Sequence, residues 1–335
     1  MSLPPVEIPL GAMRFNSDSQ KLEYWNGLQW MQIHTGESAP IGGRGVQIGT
    51  EGGTPIQMEY ISMHTAGYSL DFGDLQTGIG AAGAGASRTR GIKFGGVVTY
   101  PGTFTNEIDY IEIASAGNGI DFGDLSTSRR AVMSYGNQTR AGTAGGAKPS
   151  YVATRTSIDY VTITSKGDSI NFGDISTATS INGTSEWGTP TRGMLIANKC
   201  NSPATRTNTV EYVTISTTGN AVDFGDMTNA PANPATAGNS IRGMVAGGQT
   251  PSSVNTIQFF TLTSLGNAQD FGDLSYVSNE FSGFSSPIRA VWTRVSNTQL
   301  DKTNIASTGN STDWGHFSSG KNHNSSLTNC HGGLG

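Results

Sequence analysis

The chain has 335 residues and a formal net charge of -5, with a pI near 5.5 and no basic run, which excludes an electrostatic nucleic-acid surface. Charged residues are only 13% and glycine supplies 46 positions, a composition of short strands and tight turns that excludes a helical protein. No apolar run approaches the roughly 18 residues that cross a membrane, and residues 1–7 lack a secretory signal's basic and apolar segments, so membrane insertion is not expected. Cys200 and Cys330 are too few for a disulfide framework and are expected as unpaired thiols.

Residues 1–34 read as a small β-meander separate from the rest. Met13-Arg14-Phe15-Asn16 leads through a polar turn to Lys21-Leu22-Glu23-Tyr24-Trp25. Asn26-Gly27 signals a two-residue hairpin turn, and Leu28 to Ile33 returns. Such a meander is too short for its own core and must pack on something else. Its pattern, Gly-x-x-Arg-Phe-Asn and then Leu-Glu-Tyr-Trp-Asn-Gly-x-x-Trp, resembles a short module common near the N-terminus of bacteriophage tail and fibre proteins. The resemblance implies attachment to a virion, with other phage tail or virion proteins as partners.

Residues 35–335 are dominated by a repeat. Asp71-Phe72-Gly73-Asp74-Leu75 recurs at 121–125, 171–175, 223–227 and 270–274, with a worn copy, Asp313-Trp314-Gly315-His316-Phe317. The central glycines are 73, 123, 173, 225, 272 and 315, which puts the intervals at 50, 50, 52, 47 and 43 residues. A period near 50 means one supersecondary unit copied along the chain, each unit unable to bury its apolar face alone.

In the second copy, residues 106–113 alternate apolar and polar as a half-buried strand does. A turn at 114–119 leads to a second strand, 120–125, anchored by Phe122. Residues 130–135 and 139–146 read as third and fourth strands, and the four are expected to make one antiparallel sheet. Several copies carry a double glycine, Gly52-Gly53, Gly95-Gly96, Gly145-Gly146 and Gly247-Gly248, before the strand bearing Tyr60, Tyr110, Tyr160 or Phe259. A Gly-Gly strand, a Tyr strand and an aromatic strand in that order resemble a kelch repeat, with Phe here where kelch has Trp, except at Trp314. The expected fold is all-β: a kelch-like β-propeller of six four-stranded blades, with seven as the alternative because residues 327–333 look like one more Gly-Gly strand beside 321–325. A shared blade made from both chain ends would hide sheet edges.

Several side chains invite functional readings. The paired aspartates suggest calcium, weighed against carboxylates that hydrogen-bond turn amides; Asn171 and His316 break the pattern, and no cofactor is expected. His316, His323 and His331 gather near the end of the sequence, but His34, His64 and these three show no metal-ligand spacing. Arg44, Arg90, Arg140, Arg192, Arg242 and Arg289 occupy one equivalent position. They are expected either to pair with an Asp of the same or the next blade, or to form a ring that binds a glycan or phosphate. Irregular loops at 182–190 and 228–237 are candidate contacts, with Trp187 either a surface contact or packed under its own loop.

The segments Ile158-Asp159-Tyr160-Val161-Thr162-Ile163 and Gly117-Asn118-Gly119-Ile120-Asp121-Phe122-Gly123-Asp124-Leu125 resemble proteins of phages that infect cyanobacteria and other aquatic bacteria. The resemblance implies a virion location and a structural protein, a tail fibre or receptor-binding adhesin, that holds a host surface glycan noncovalently. Homo-oligomers are common among such fibres. The alternatives are a capsid-decorating or head and neck fibre protein, and a sialidase-like or depolymerase hydrolase. Residues 310–315 match half of a sialidase Ser-x-Asp-x-Gly-x-x-Trp box and lack the closing Trp. A glycosidase also needs a distinct carboxylate pair, and the carboxylates here recur in every copy, so no enzymatic activity is expected.

Overall fold

The computed structural model describes residues 8–16, 21–32, 43–50, 56–98, 102–148, 154–182, 185–197 and 206–334. His34, Gly52-Gly53, Cys200 and residues 183–184 of the 182–190 loop lie outside them. The protein is all-β and divides into two compact units, Met1–Gly42 and Gly43–Gly335.

The first unit is a three-stranded antiparallel sheet of β1 (Met13–Asn16), β2 (Lys21–Trp25) and β3 (Trp30–Gln32). Its hairpin turn is longer than the Asn-Gly signal suggested. Trp25 pairs with Trp30, so Asn26–Gln29 form the loop, and the Asn26 Oδ1 accepts from the amides of Leu28 (2.9 Å) and Gln29 (2.8 Å). On one face Arg14 bonds Glu23 at 2.9 Å and lies 4.2 Å from the Trp30 ring centroid.

The second unit holds six sheets. Sheet 1 is β27 (Ser325–Thr328), β4 (Arg44–Ile48), β5 (Gln57–Ser62) and β7 (Leu70–Asp74). Sheet 2 is β8 (Gly83–Ala86), β9 (Arg90–Val97), β10 (Phe104–Glu112) and β11 (Ile120–Asp124). Sheet 3 is β12 (Met133–Gly136), β13 (Arg140–Ala144), β14 (Arg155–Thr162) and β15 (Ile170–Thr179). Sheet 4 has β16 (Arg192–Ile196), β17 (Thr209–Thr214) and β18 (Val222–Asp226), with a single bridge from Gly188 to Gly193 where a first strand would sit. Sheet 5 is β19 (Ala235–Gly238), β20 (Arg242–Ala246), β21 (Thr256–Thr261) and β22 (Gln269–Asp273). Sheet 6 is β23 (Gly283–Ser285), β24 (Arg289–Trp292), β25 (Gln299–Asn304) and β26 (Thr312–His316), joined by β6 (Gly67–Tyr68) in parallel.

The strands are those expected, but they are grouped differently. Ile120–Asp124 and Met133–Gly136 belong to different sheets, so a sheet ends at the Phe-Gly-Asp strand and the next begins beyond it. The first strands are buried throughout: β8 (Gly83–Ala86) and β19 (Ala235–Gly238) are built of small residues, while β12 and β23 bury Tyr135 and Phe284. Where each third strand meets the motif of the fourth the register shifts, for example between Ile108 and Asp109, and there the opposing Phe, or Trp314 in sheet 6, is the unpaired residue of a bulge, turned into the core.

One backbone contact joins successive sheets. The turn between the third and fourth strands of each sheet lies on the fourth strand of the sheet before it. The Gly117 amide donates to the Phe72 carbonyl at 2.7 Å, and the Asn118 side chain accepts from the Asp74 amide at 3.0 Å. The amides of Gly167, Gly219, Gly266 and Gly309 make the same bond to the carbonyls of Phe122, Phe172, Phe224 and Phe271. Sheet 6 meets sheet 1 in the same way, because β6 pairs with β26 and the Ser69 amide donates to the His316 carbonyl at 2.8 Å.

The C-terminal residues reach all six sheets. Strand β27 pairs with β4. Beyond it, Asn329 accepts from the Arg44 amide (2.8 Å), the Cys330 thiol donates to Ser285, and His331 bonds the Ala86 carbonyl (2.9 Å). Gly332 lies against Gly188 and Asn239, and Gly333 against Gly136. Residues 327–333 are therefore not one long strand: only Leu327 and Thr328 are β, and Gly332–Leu334 make a 3₁₀ turn. Lys321 forms a parallel bridge with Val295 and is not a hairpin partner for that segment.

The contact predicts unequal costs at its two glycines. Gly123 has φ 150°, and a Cβ there would lie 2.5 Å from both C and O of Gly167. Gly167 has φ 148° but open space around its own Cβ position. Gly123→Ala is expected to cost about 2–4 kcal/mol and Gly167→Ala about 1 kcal/mol, measured by denaturant unfolding. Equal costs would contradict the geometry.

Candidate functional site

The repeated arginines begin the second strand of each sheet, and the structure gives them a different partner from the one expected. Their Cζ atoms lie 4.7–4.8 Å from ring centroids: Arg44 over Tyr60, Arg90 over Tyr110, Arg140 over Tyr160, Arg192 over Tyr212, Arg242 over Phe259 and Arg289 over Trp314. Each also donates to a carbonyl of the following sheet. Arg44, Arg140 and Arg242 reach Ile113, Ile215 and Ile305 at 2.8 Å, and Arg90 and Arg192 reach Ile163 and Leu262 at 3.3 Å. Arg289 of sheet 6 reaches Met63 of sheet 1 at 2.8 Å. Among the described residues only Arg90 of this set also meets a carboxylate, Glu112 at 2.7 Å. Aromatic faces and carbonyl oxygens thus replace the expected aspartates, which leaves these arginines occupied between sheets.

Beneath each arginine the aromatic residue meets the Phe of the fourth strand edge to face, as Tyr160 meets Phe172 with centroids 5.5 Å apart and planes at 89°. The sixth copy departs in a compensated way. Lys302 stands where the other copies have an aromatic ring, and Trp314 in the Phe position takes the arginine.

The Asp-Phe-Gly-Asp motif is an inter-sheet contact. The second aspartate offers its backbone amide to the next sheet's Asn or Asp side chain, as Asp124 does to Asp168 (3.0 Å) and Asp226 to Asn267 (3.0 Å). Its own carboxylate faces solvent or, at Asp174, accepts from Thr156 at 2.8 Å. The first aspartates, Asp71, Asp121, Asp223 and Asp270, expected to bond turn amides, are exposed, and Asp71 accepts from the Gln57 side chain at 3.3 Å. Among the described residues no three of Asp, Glu, His and Cys converge as metal ligands would.

A second set, of five acids and one glutamine, is buried. Glu59, Asp109, Asp159, Glu211, Gln258 and Asp301 hold one position in the third strands, all 3% exposed or less. Ser126, Ser176, Thr228, Ser275 and Ser318 of each preceding sheet donate to Asp159, Glu211, Gln258, Asp301 and Glu59. At the remaining position Gln76 stands in for the serine, and Asp109 pairs with Lys93 at 2.9 Å. Arg129 pairs with Asp159, and Lys321 bonds Glu59 at 2.7 Å. Burial pushes Glu59 up, but its bonds from Lys321, Ser318 and Ser69 outweigh this and hold it below the ordinary carboxylate range.

Trp187 is 3% exposed, with its ring 6.2 Å from that of Phe260 and against Gly243. It is core, and the surface role is corrected by that burial. The three late histidines part company: His316 stacks on Tyr68 (5.6 Å), His323 meets Glu280 (2.8 Å), and His331 is buried. Asn310 and Ser311 of the half sialidase box accept from the Asp273 amide and donate to Asp301.

A polar group that sequence reasoning missed lies eight residues beyond the motif glycines, in the connections between sheets. The equivalent residues are Ala81, Ala131, Ile181, Asn233, Glu280 and His323. Their backbones bond in succession: Ala81 donates to His323 (2.8 Å), Ala131 to Ala81 (2.7 Å), Ile181 to Ala131 (2.8 Å) and Glu280 to Asn233 (2.9 Å). Glu280 accepts from Asn233 (3.0 Å), Asn182 (3.4 Å) and His323 (2.8 Å), and the His323 bond is the main reason its carboxyl titrates below the ordinary range. The register of eight was the available signal. The chain matches no protein-family model and no curated protein.

Glu186 and His331 generate a pH prediction. Glu186 is 1% exposed, and burial pushes its carboxyl well above the ordinary value of 4.5, although the Thr328 and Ala86 amides oppose this. Burial holds His331 down to about 4 from 6.5; its Nε2 donates to Ala86, and its Nδ1 accepts from the Gly333 amide (3.1 Å). The raised Glu186 costs stability as pH climbs above 4.5, because the unfolded chain releases that proton first. The depressed His331 costs stability as pH falls through 6.5 towards 4. Glu186→Gln should therefore raise Tm by several degrees at pH 8 and little at pH 4.5, measured by calorimetry. A shift independent of pH would contradict a Glu186 carboxyl raised by burial.

Proposed function

We propose that the six sheets close into a six-bladed, kelch-like β-propeller, and that the chain is a phage virion structural protein, a tail fibre or adhesin, whose propeller is a noncovalent host-binding head. The observation that carries the closure is that sheet 6 meets sheet 1 through bonds that recur at the other junctions. These are the glycine turn on the fourth strand, the arginine on a carbonyl, and the serine on a buried acid. Closure hides the edges that an open row of sheets would expose.

The binding role draws support from how the chain uses its polar groups. The recurring arginines and the buried carboxylates are spent between sheets, which favours a rigid display body over a hydrolase. The end of the sheets away from the arginines carries the Asn233–Glu280–His323 group and is the proposed host-facing end. The N-terminal sheet is the proposed attachment module, on the strength of its resemblance.

Cryo-electron microscopy of phage particles carrying this chain tests the reading. Density at tail-fibre ends is expected; density on the capsid would overturn the adhesin role and favour a decorating protein.

A further inference from the structure

In a repeated body, the informative residues are those that break the repeat where solvent reaches them. Five of the six positions eight residues past the motif glycines share a backbone arrangement, all but Ile181: φ is 50° at Ala81, 55° at Ala131, 48° at Asn233, 62° at Glu280 and 46° at His323. Half of the set is buried and aliphatic, with Ala81 at 1%, Ala131 at 4% and Ile181 at 0% exposure. The other half is polar and part-exposed, the Glu280 and His323 side chains at 29% and 22%. Asn182, next in sequence to Ile181, joins the polar half: its amide donates to the Asn233 Oδ1 at 3.1 Å and its Nδ2 to Glu280. The Asn182 Oδ1 is buried and has no partner among the described residues.

One carboxylate, two carboxamides and an imidazole on a partly open rim supply donors and acceptors side by side. That combination suits vicinal hydroxyls, each of which both donates and accepts. It suits a divalent cation poorly, since only one carboxylate is present and three side chains already donate to it. It suits an anionic sugar or a phosphate poorly as well, because Glu280 would repel it.

We propose that Asn182, Asn233, Glu280 and His323 form a subsite for a neutral hexose unit of a surface glycan, an inference that rests on the adhesin reading above. The hexose hydroxyls would donate to Glu280, the part-exposed carboxylate, and accept from the carboxamide N–H groups. No covalent step is involved. Exchanging hydrogen bonds already made within the group keeps the affinity of a single sugar low, so avidity across copies would carry attachment.

Saturation-transfer NMR on the full chain tests this, with the methyl glycosides of glucose, galactose and mannose as probes and glucuronate as the acidic comparison. Transfer to at least one neutral glycoside and none to glucuronate is expected. Glu280→Gln, which keeps size and shape, and Asn182→Ala should each weaken binding about tenfold in protein that circular dichroism shows to be folded at the assay temperature. Undiminished binding in both variants would overturn this site and leave the adhesin reading standing. Transfer to glucuronate alone would overturn the neutral-sugar assignment. Transfer to no sugar would overturn the subsite, and binding of the labelled chain to host cells would then decide the adhesin reading separately.

Discussion

Backbone meeting backbone at paired glycines sets the spacing between neighbouring sheets. Gly173 and Gly219, or Gly225 and Gly266, approach so closely that a methyl group on the first would collide with the carbonyl of the second. Close approach allows the turn amide to bond the Phe carbonyl, and it brings an asparagine side chain within reach of the following aspartate amide. The fourth strand would otherwise leave those backbone groups unpaired at an edge. The large aromatics can then be placed once per sheet, because the sheet-to-sheet distance no longer depends on them.

Charged groups follow from the same spacing. A guanidinium lying on a tyrosine face, with its nitrogen on a carbonyl one sheet away, keeps its hydrogen bonds while losing much of its water. Such a contact is worth about 1 kcal/mol, and it recurs in every sheet. The buried acids are held more expensively, since a carboxylate inside a β body must be met by cations or several donors. Glu59 has Lys321 and two serines, Asp159 has Arg129 and Ser126, and Asp301 has Ser275 and Ser311. Glu186 has two backbone amides, neither of them a cation, and its burial pushes its carboxyl well above the ordinary value.

Much of this architecture was legible in the chain. The period near 50 located every copy, and the alternation around Tyr110 and Tyr160 marked real strands. Three things were hidden. The sheet boundary was hidden because alternation marks strands and not which strands pair, and Phe122 and Met133 belong to different sheets. The arginine partners were hidden because an aspartate nearby in sequence is a more obvious partner than a ring 20 residues on. The coupled replacements of Lys302 and Trp314 in the worn copy were the clue to that ring, since one loses an aromatic face and the other supplies it. The Asn233–Glu280–His323 group was hidden because its members are unlike one another and related only by their distance from the motif glycine.

A closed ring is the claim on which the proposed display role depends, and its seam offers a direct test. Tyr68 of β6 is the register partner of His316 of β26. In a chain carrying Tyr68→Cys and His316→Cys, mild oxidation followed by peptide mapping would report whether those two positions meet. Formation of the 68–316 disulfide, with monomer size retained and Tm raised, is the result that closure predicts. Two free thiols after oxidation in a folded protein, or linkage only between separate chains, would contradict it.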